Sequence, residues 1–285
     1  MRVSSAVHFI GIGGIGMSAL ARILLQRGVR VTGSSDRRTA LTERLVEEGA
    51  RVVIGHDAGN IAGAETVVIS TAIAADNPEL VAARGRGIDV IHRGDLLAHV
   101  MHDRRGIAIA GTHGKTTTTA MVACVLEAGL LDPTVVVGGE RVDTSTNAHD
   151  GKGAWLVSEA DESDLSFLNL RPEIAVVTNI ENDHIASDAE FPRMVAAFER
   201  FAAGVPKNGC VFIGIDEPRA SALAGRPRDA RTRTFGFAAT ADIRAAAARY
   251  EHFGARFEVW LRNARVGEIT LAVPGAINVV DALPA

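Results

Sequence analysis

Residues 111–119 read Gly-Thr-His-Gly-Lys-Thr-Thr-Thr-Thr and directly follow the apolar run Ile107-Ala108-Ile109-Ala110. Small residues between a buried strand and a helix let backbone N–H groups converge on one concavity. The helix N-terminus adds partial positive charge there for a phosphate chain. In such a loop Lys115 is a mobile point charge for β- and γ-phosphate oxygens, and the Thr116 hydroxyl is placed to ligate Mg2+. Gly111, Thr112, His113, Gly114 and Thr117 complete the cradle, with His113 also readable as a cap of the turn. The position five before Gly114 is Ile109, where the general phosphate-loop pattern has glycine. A nucleotide triphosphate site is expected, the alternative being a plain helix start.

Two further strand ends carry reactive groups. The expected strand 154–158 runs into Glu159-Ala160-Asp161-Glu162-Ser163-Asp164. Two carboxylates about 4 Å apart repel by roughly 4 kcal/mol at an effective dielectric near 20. Such crowding calls for a cation, a basic partner or full solvation. Beside a triphosphate loop, Mg2+ is favoured over a solvated acidic turn. The expected strand 174–178 runs on through Asn179-Ile180-Glu181-Asn182-Asp183-His184. His184 is a candidate metal ligand or polar contact, and Asp183 could orient its ring.

A second glycine loop, Gly11-Ile12-Gly13-Gly14-Ile15-Gly16, follows the apolar strand 6–10 and satisfies G-x-G-x-x-G. It suits a diphosphate ligand, against the alternative of a turn needed only for tight strand–helix packing. A nicotinamide-dependent oxidoreductase would also want an acid at the end of the next strand. Asp36 could serve, one residue late, but that reading leaves the loop at 111–119 and the acidic turn unexplained.

The elements that must hold these loops alternate. Helices are expected over 17–27, 41–48, 78–84, 95–101, 115–128, 191–203 and 218–224. Strands are expected over 6–10, 29–33, 51–54, 66–70, 89–91, 134–137, 154–158, 174–178 and 210–213. Alternation of this kind argues for parallel doubly wound sheets, which bring strand ends and their loops to one edge. Residues 256–261 and 267–273 read as an antiparallel hairpin, and 278–285 as the opening turns of a helix. The polar run His102-Asp103-Arg104-Arg105 marks a domain boundary, giving domains at 1–103 and 104–285. A chain stopping in mid-helix suggests a fragment.

At 285 residues, 47% hydrophobic and 22% charged, the chain is long enough for two cores and ordinary for a globular protein. A net charge of −4 gives no basic footprint for nucleic acid. No apolar run of about 18 residues offers a membrane span, and the first residues read as a strand rather than a signal peptide. Cys124 and Cys210 are expected to be packed, reduced thiols of a cytoplasmic protein.

The sequence resembles the Mur ligase family. The resemblance rests on residues 8–18, on Ser70-Thr71-Ala72-Ile73 with Asn77-Pro78-Glu79, on 111–119, on Gly138-Gly139 with Thr146-Asn147-Ala148, on 159–168 and on 178–184, in that order along nearly the whole chain. It implies an α/β architecture: a Rossmann-like N-terminal domain, then a P-loop ATPase-type central domain with a parallel sheet and a small antiparallel hairpin. It implies ATP and Mg2+ as cofactors, with UDP-N-acetylmuramate and L-alanine as substrates. ATP would phosphorylate the muramoyl carboxylate, and the amine would attack the acyl phosphate. Lys115, Glu159 and His184 would carry catalysis, and Thr116, Glu159 and His184 would hold Mg2+. Asn278 and Asp281 would join the loop in binding ATP. Gly11, Gly13, Gly14, Ile15, Gly16, Ser35, Ser70 and Asn147 would bind the sugar nucleotide.

There are departures. The family's Gly-x-His-Asn-x-x-Asn reads Gly275-Ala276-Ile277-Asn278-Val279-Val280-Asp281, and its aspartates stand here as Ser35 and Ala186. The family's third domain, which closes over ATP, is not in this sequence, so a separate chain supplying it is a candidate partner. A non-catalytic nucleotide- or UDP-sugar-binding paralogue is the alternative reading.

Overall fold

The computed structural model describes residues 4–182, 191–251 and 253–285. In chain order the elements are β1 (Ala6–Ile10), α1 (Ile15–Gln26), β2 (Arg30–Ser35), α2 (Ala40–Glu47), β3 (Arg51–Ile54), β4 (Thr66–Ile69), α3 (Pro78–Gly85), β5 (Asp89–His92) and α4 (Arg93–His102). Then come β6 (Arg105–Ala110), α5 (Lys115–Ala128), β7 (Thr134–Val136), β8 (Ala148–His149), β9 (Trp155–Glu159) and, after a 3-10 turn (Ser166–Asn169), β10 (Ile174–Val177). The remainder is α6 (Phe191–Ala203), β11 (Cys210–Gly214), α7 (Pro218–Ala224), β12 (Arg231–Gly236), β13 (Ile243–Glu251), β14 (Gly254–Leu261), β15 (Ala264–Leu271) and α8 (Ala276–Ala282).

Two compact units form. One runs to Asp103 and also takes Pro133–Gly153; the other holds Arg104–Asp132 and Ala154–Ala285. Residues 133–153, expected in the second domain, group with the first because their polar side chains are spent there. The Asn147 amide is fully buried and donates to Ile15 O at 2.8 Å and to Ser18 Oγ at 2.9 Å, while its oxygen accepts from Arg22. Arg27 pairs with Asp150 at 2.8 Å and Arg44 with Glu140 at 3.1 Å.

The first unit carries an all-parallel sheet of order β3-β2-β1-β4-β5. All five residues of β1 are buried, as a central parallel strand covered on both faces requires. Residues 17–24 of α1 are buried as well. Asn77 caps α3 by accepting from Glu79 N and Leu80 N, and Pro78 opens the helix, where its missing N–H costs nothing.

In the second unit β9, β6, β10, β11, β12 and β13 run parallel in that order, and β14 and β15 continue the sheet antiparallel. The expected hairpin is present, turning at Arg262, which takes φ 55°. No strand is expected from the sequence over 231–251, yet β12 and β13 lie there. Ala245-Ala246-Ala247-Ala248 favours a helix in isolation. Pairing on both sides, with a bulge between Ala246 and Arg249 and Ala247 at φ 50°, overrides that preference. The core gathers Ile109, Val157, Val176, Phe235 and Phe257, and α8 docks onto it through Val279, Ala282 and Leu283.

Cys124, expected to be packed, is exposed on α5, and Cys210 is half-buried; neither is in a disulfide. No described helix is long and apolar enough to cross a membrane.

Candidate functional site

The loop between β6 and α5 sits where three parallel strands end. Ala110 is in register with Val177 of β10, and Ile109 with Glu159 of β9. The segment after β10 laces the loop down. His113 N donates to Asn179 Oδ1 at 2.8 Å, Thr112 N to Asn179 O at 3.2 Å, and Glu181 N to Thr112 Oγ1 at 2.9 Å. The Thr178 hydroxyl donates to His113 O at 2.6 Å. His113 is thus held by its backbone.

Two glycines are sterically required. Gly111 lies at φ 142°, where a Cβ would run into Thr178 Oγ1, and Gly114 lies at φ 82°, where a Cβ would run into the Asp281 carboxylate. Both conformations suit glycine, and both bare backbones leave the loop concave. Gly114 is also the N-cap of α5, and no side chain caps that helix end. Its first turn is therefore open to an anion.

Lys115 Nζ donates to Glu162 Oε1 at 2.8 Å, to Gly111 O at 2.5 Å and to Thr112 O at 3.1 Å. Thr116 is exposed, and Glu159 is half-buried at the end of β9. Burial pushes the Glu162 carboxyl above its ordinary range, and the Lys115 ammonium offsets only part of that. Thr116 and Glu159 offer a hydroxyl and a carboxylate oxygen, a donor set that suits Mg2+. His184, with Asp183, lies outside the described residues.

Beside the loop is a cavity of about 530 Å3 lined by Asn179, Gly214, Arg219, Phe237, Ile277 and Asp281, among others. Two of its acids are committed to backbone. Asp216 accepts from Phe237 N and Ala238 N, and Glu217 caps α7. Asp281 is different. It is 2% exposed, and burial pushes its carboxyl up to about 7, with the Thr118 hydroxyl offsetting little. Asn278, expected to bind the nucleotide alongside Asp281, instead donates to Pro274 O at 2.5 Å and is not among the residues lining the cavity.

In the first unit the glycine loop hangs from β2. Ser34 O accepts from Gly11 N at 2.9 Å and Ile12 N at 2.8 Å, and Gly14 N donates to Gly11 O at 3.1 Å. Gly14 begins α1 with no side-chain cap. Ser35 Oγ lies 2.8 Å from where a Cβ on Gly13 would stand, so Ser35 is at the loop. Ser70 is half-buried after β4, its carbonyl accepting from Ile73 N, and Ile73 reaches Gly11. Ile15 is 37% exposed at the start of α1. Asn147 was expected on the sugar nucleotide, but its amide is bonded to Ile15, Ser18 and Arg22, so it braces α1.

Arg93, missed from the sequence, brings its guanidinium within 2.9 Å of a Cβ position on Gly16. The signal was its place at the end of β5, on the edge where the other loops emerge. Below the loop, Glu79 is fully buried. It accepts from Ser34 Oγ at 2.5 Å and Asn60 Nδ2 at 2.6 Å, with His56 Nδ1 at 3.2 Å and His8 Nε2 at 3.7 Å. Burial alone would raise its carboxyl; His8, Ser34, Asn60 and His56 outweigh it and hold it at about 2. Asp36, the acid weighed for a nicotinamide ribose, is exposed and faces His56 Nε2 at 3.0 Å.

Residues 6–105 match the Mur ligase family catalytic domain, and residues 109–285 match the Mur ligase middle domain. The whole chain is 46% identical to a UDP-N-acetylmuramate–L-alanine ligase of Xanthomonas campestris pv. campestris and spans 60% of that protein's length. The relative from Xanthomonas oryzae pv. oryzae is equally similar, at 46% identity and the same 60% coverage. Among solved structures, UDP-N-acetylmuramate-alanine ligase MurC from Thermotoga maritima superposes with a TM-score of 0.87 at 31% identity, over 98% of this chain and 63% of that one. A UDP-N-acetylmuramate:L-alanyl-gamma-D-glutamyl-meso-diaminopimelate ligase from Neisseria meningitides gives 0.89 at 26% identity, over 97% and 90%. Two glycine loops on parallel-strand edges, a lysine and an acid converging on the second, and matches over both units point one way: the chain belongs to the Mur ligase family.

Proposed function

We propose that this chain carries the nucleotide- and sugar-nucleotide-binding parts of a UDP-N-acetylmuramate–L-alanine ligase, which acts in the cytoplasm in peptidoglycan precursor synthesis. The observation that carries the reading is the second glycine loop, with Lys115 at its mouth and Glu159 in register beside it. The residues present fit ATP and Mg2+. Side chains at 111 and 114 would fill the cradle, the α5 end is uncapped, and hydroxyl and carboxylate oxygens flank it. Lys115 and the first N–H groups of α5 would bind the β- and γ-phosphates, and Thr116 and Glu159 would hold Mg2+, with His184 as a further ligand. The cavity walled by Phe237, Arg219 and Asp281 would take the base and ribose.

The first glycine loop, with Arg93, Ser35 and Ser70 around it, would take the diphosphate of UDP-N-acetylmuramate. Mg2+ supplies charge neutralisation for phosphoryl transfer. This chain's residues supply position and a fixed field, which is most of what such a reaction asks of a protein. The activated muramoyl carboxylate would be an acyl phosphate, attacked by the amine of L-alanine.

Calorimetric titration tests the reading: ATP with Mg2+ and UDP-N-acetylmuramate are each expected to bind at one site, and neither to displace the other. Phosphate release is measured with both substrates, L-alanine and ATP. One arm uses the chain alone; the other adds, as a separate chain, the portion of a relative that this chain does not cover. Binding without turnover in both arms would favour the non-catalytic paralogue. Competition between the two ligands for one site would contradict the assignment of the two loops.

A further inference from the structure

Lys115 has three N–H donors, and all three are used. Glu162 Oε1, Gly111 O and Thr112 O accept them at 2.8, 2.5 and 3.1 Å. An ammonium so engaged cannot also donate to a phosphate, so a polyphosphate entering the loop must take over at least one partner's place. The two carbonyls belong to the loop and have nowhere to go. Glu162 is the partner that can yield, because it sits on the segment after β9 and, its own backbone N–H aside, Lys115 is the one side chain its carboxylate bonds among the described residues. Its second oxygen, Oε2, is buried and accepts no hydrogen bond among the described residues. A buried carboxylate oxygen without a donor is costly to keep, which weakens the case for Glu162 as a purely structural anchor. Both side chains are largely out of solvent, 19% exposed for Lys115 and 16% for Glu162, so the pair is only partly screened.

We propose that Glu162 is a positioning residue that stands in for the ligand's phosphate: it holds the Lys115 ammonium over the loop mouth and competes with the incoming polyphosphate for it. The inference rests on the loop being a polyphosphate site. It differs from a metal-ligand role, since it needs no cation, and from a structural role, since it fixes the sign of the effect. Removing a brace weakens binding, whereas removing a competitor tightens it. By the scale of partly exposed ion pairs, the gain is about fivefold.

The test is titration of the whole chain with ATP, and separately with inorganic tripolyphosphate, in EDTA so that no divalent cation contributes. Glu162→Gln is expected to bind both about fivefold more tightly than the parent. In a Lys115→Met background the same substitution is expected to change nothing. Glu162→Asp, which keeps the charge but shortens the reach, is expected to fall between parent and Glu162→Gln, and it serves where the glutamine variant does not fold. Unchanged or weaker binding by a folded Glu162 variant overturns the proposal. So does a gain that persists without Lys115. Failure of the parent and all variants to bind either polyphosphate sinks the reading of the loop itself, and this inference with it.

Discussion

Glu79 in the first unit and Asp281 in the second are both buried carboxylates packed under or against a glycine loop, yet their proton affinities are driven in opposite directions. Glu79 has donors on every side, and its carboxyl is held at about 2 despite complete burial. Asp281 has no such set of donors, the nearby Thr118 hydroxyl making no hydrogen bond among the described residues, and burial pushes its carboxyl up to about 7. Burial raises both carboxyls; the hydrogen bonds that Glu79 accepts outweigh it, and Asp281 has no comparable set. Donors converge on the buried carboxylate of the first unit and are sparse around that of the second. The first loop rests on a polar network through Ser34, which donates to Glu79 and whose backbone holds Gly11 and Ile12, with His8 Nε2 buried beside it and without a hydrogen bond among the described residues. The second loop faces a carboxylate whose surroundings are not complete in polar terms, beside a cavity large enough for a ligand. Unfinished polar groups of that kind collect at functional sites.

The comparison breaks most severely at Glu79. Glu79→Ala strands Ser34, Asn60 and His56 in a buried space and is expected to cost about 3 kcal/mol in chemical denaturation; a loss under about 1 kcal/mol would show the network to be incidental. Its pH signature follows from a depressed carboxyl. Stability from Glu79 is present above about 4.5, its ordinary value, and is lost as the pH falls toward 2.

Asp281 should behave inversely. Its carboxyl is raised from 3.8 to about 7, so the folded state holds a proton that the unfolded state releases. That contribution is complete below about 3.8 and is lost as the pH rises through 7. Asp281→Asn is therefore expected to stabilise the chain by about 1–3 kcal/mol at pH 8 and by much less at pH 4, measured as the shift in denaturation midpoint. An equal gain at both pH values would contradict the account. Gly114→Ala puts a side chain at φ 82° and against Asp281, and is expected to cost about 1–2 kcal/mol and to weaken ATP binding at least tenfold. Smallest is Ser34→Ala, which removes one donor from Glu79 for about 1 kcal/mol and should start acid unfolding at a slightly higher pH.

Much of the fold was legible because its signals are local. Apolar runs such as 107–110 mark buried parallel strands, glycines mark the loops, and the hairpin at 254–271 shows its turn. Strand β13 was not, since alanine-rich Ala245–Ala248 argues for a helix until neighbours on both sides impose a sheet. Of the proposed site, Gly111, Gly114, Lys115 and Thr116 were named from the loop's spacing, and Glu159 was singled out from its acidic turn only by the family resemblance. The acidic turn holding Glu162 was also visible, but not that Glu162 is the acid that meets Lys115, nor that Arg93 at the end of β5 reaches Gly16, because the sheet rather than the local sequence makes those contacts. Asn147 spends its amide on Ile15, Ser18 and Arg22, and Asn278 donates to Pro274 O, contacts that the sequence did not announce.

In the proposed reading, the loop at 111–116 binds a nucleotide triphosphate and Lys115 supplies its charge. Calorimetric titration of ATP with Mg2+ into the parent chain and into Lys115→Ala at pH 7 tests it directly. The account predicts one site in the parent and at least tenfold weaker binding in the variant, with folding unchanged. Equal affinity in the two chains would contradict it.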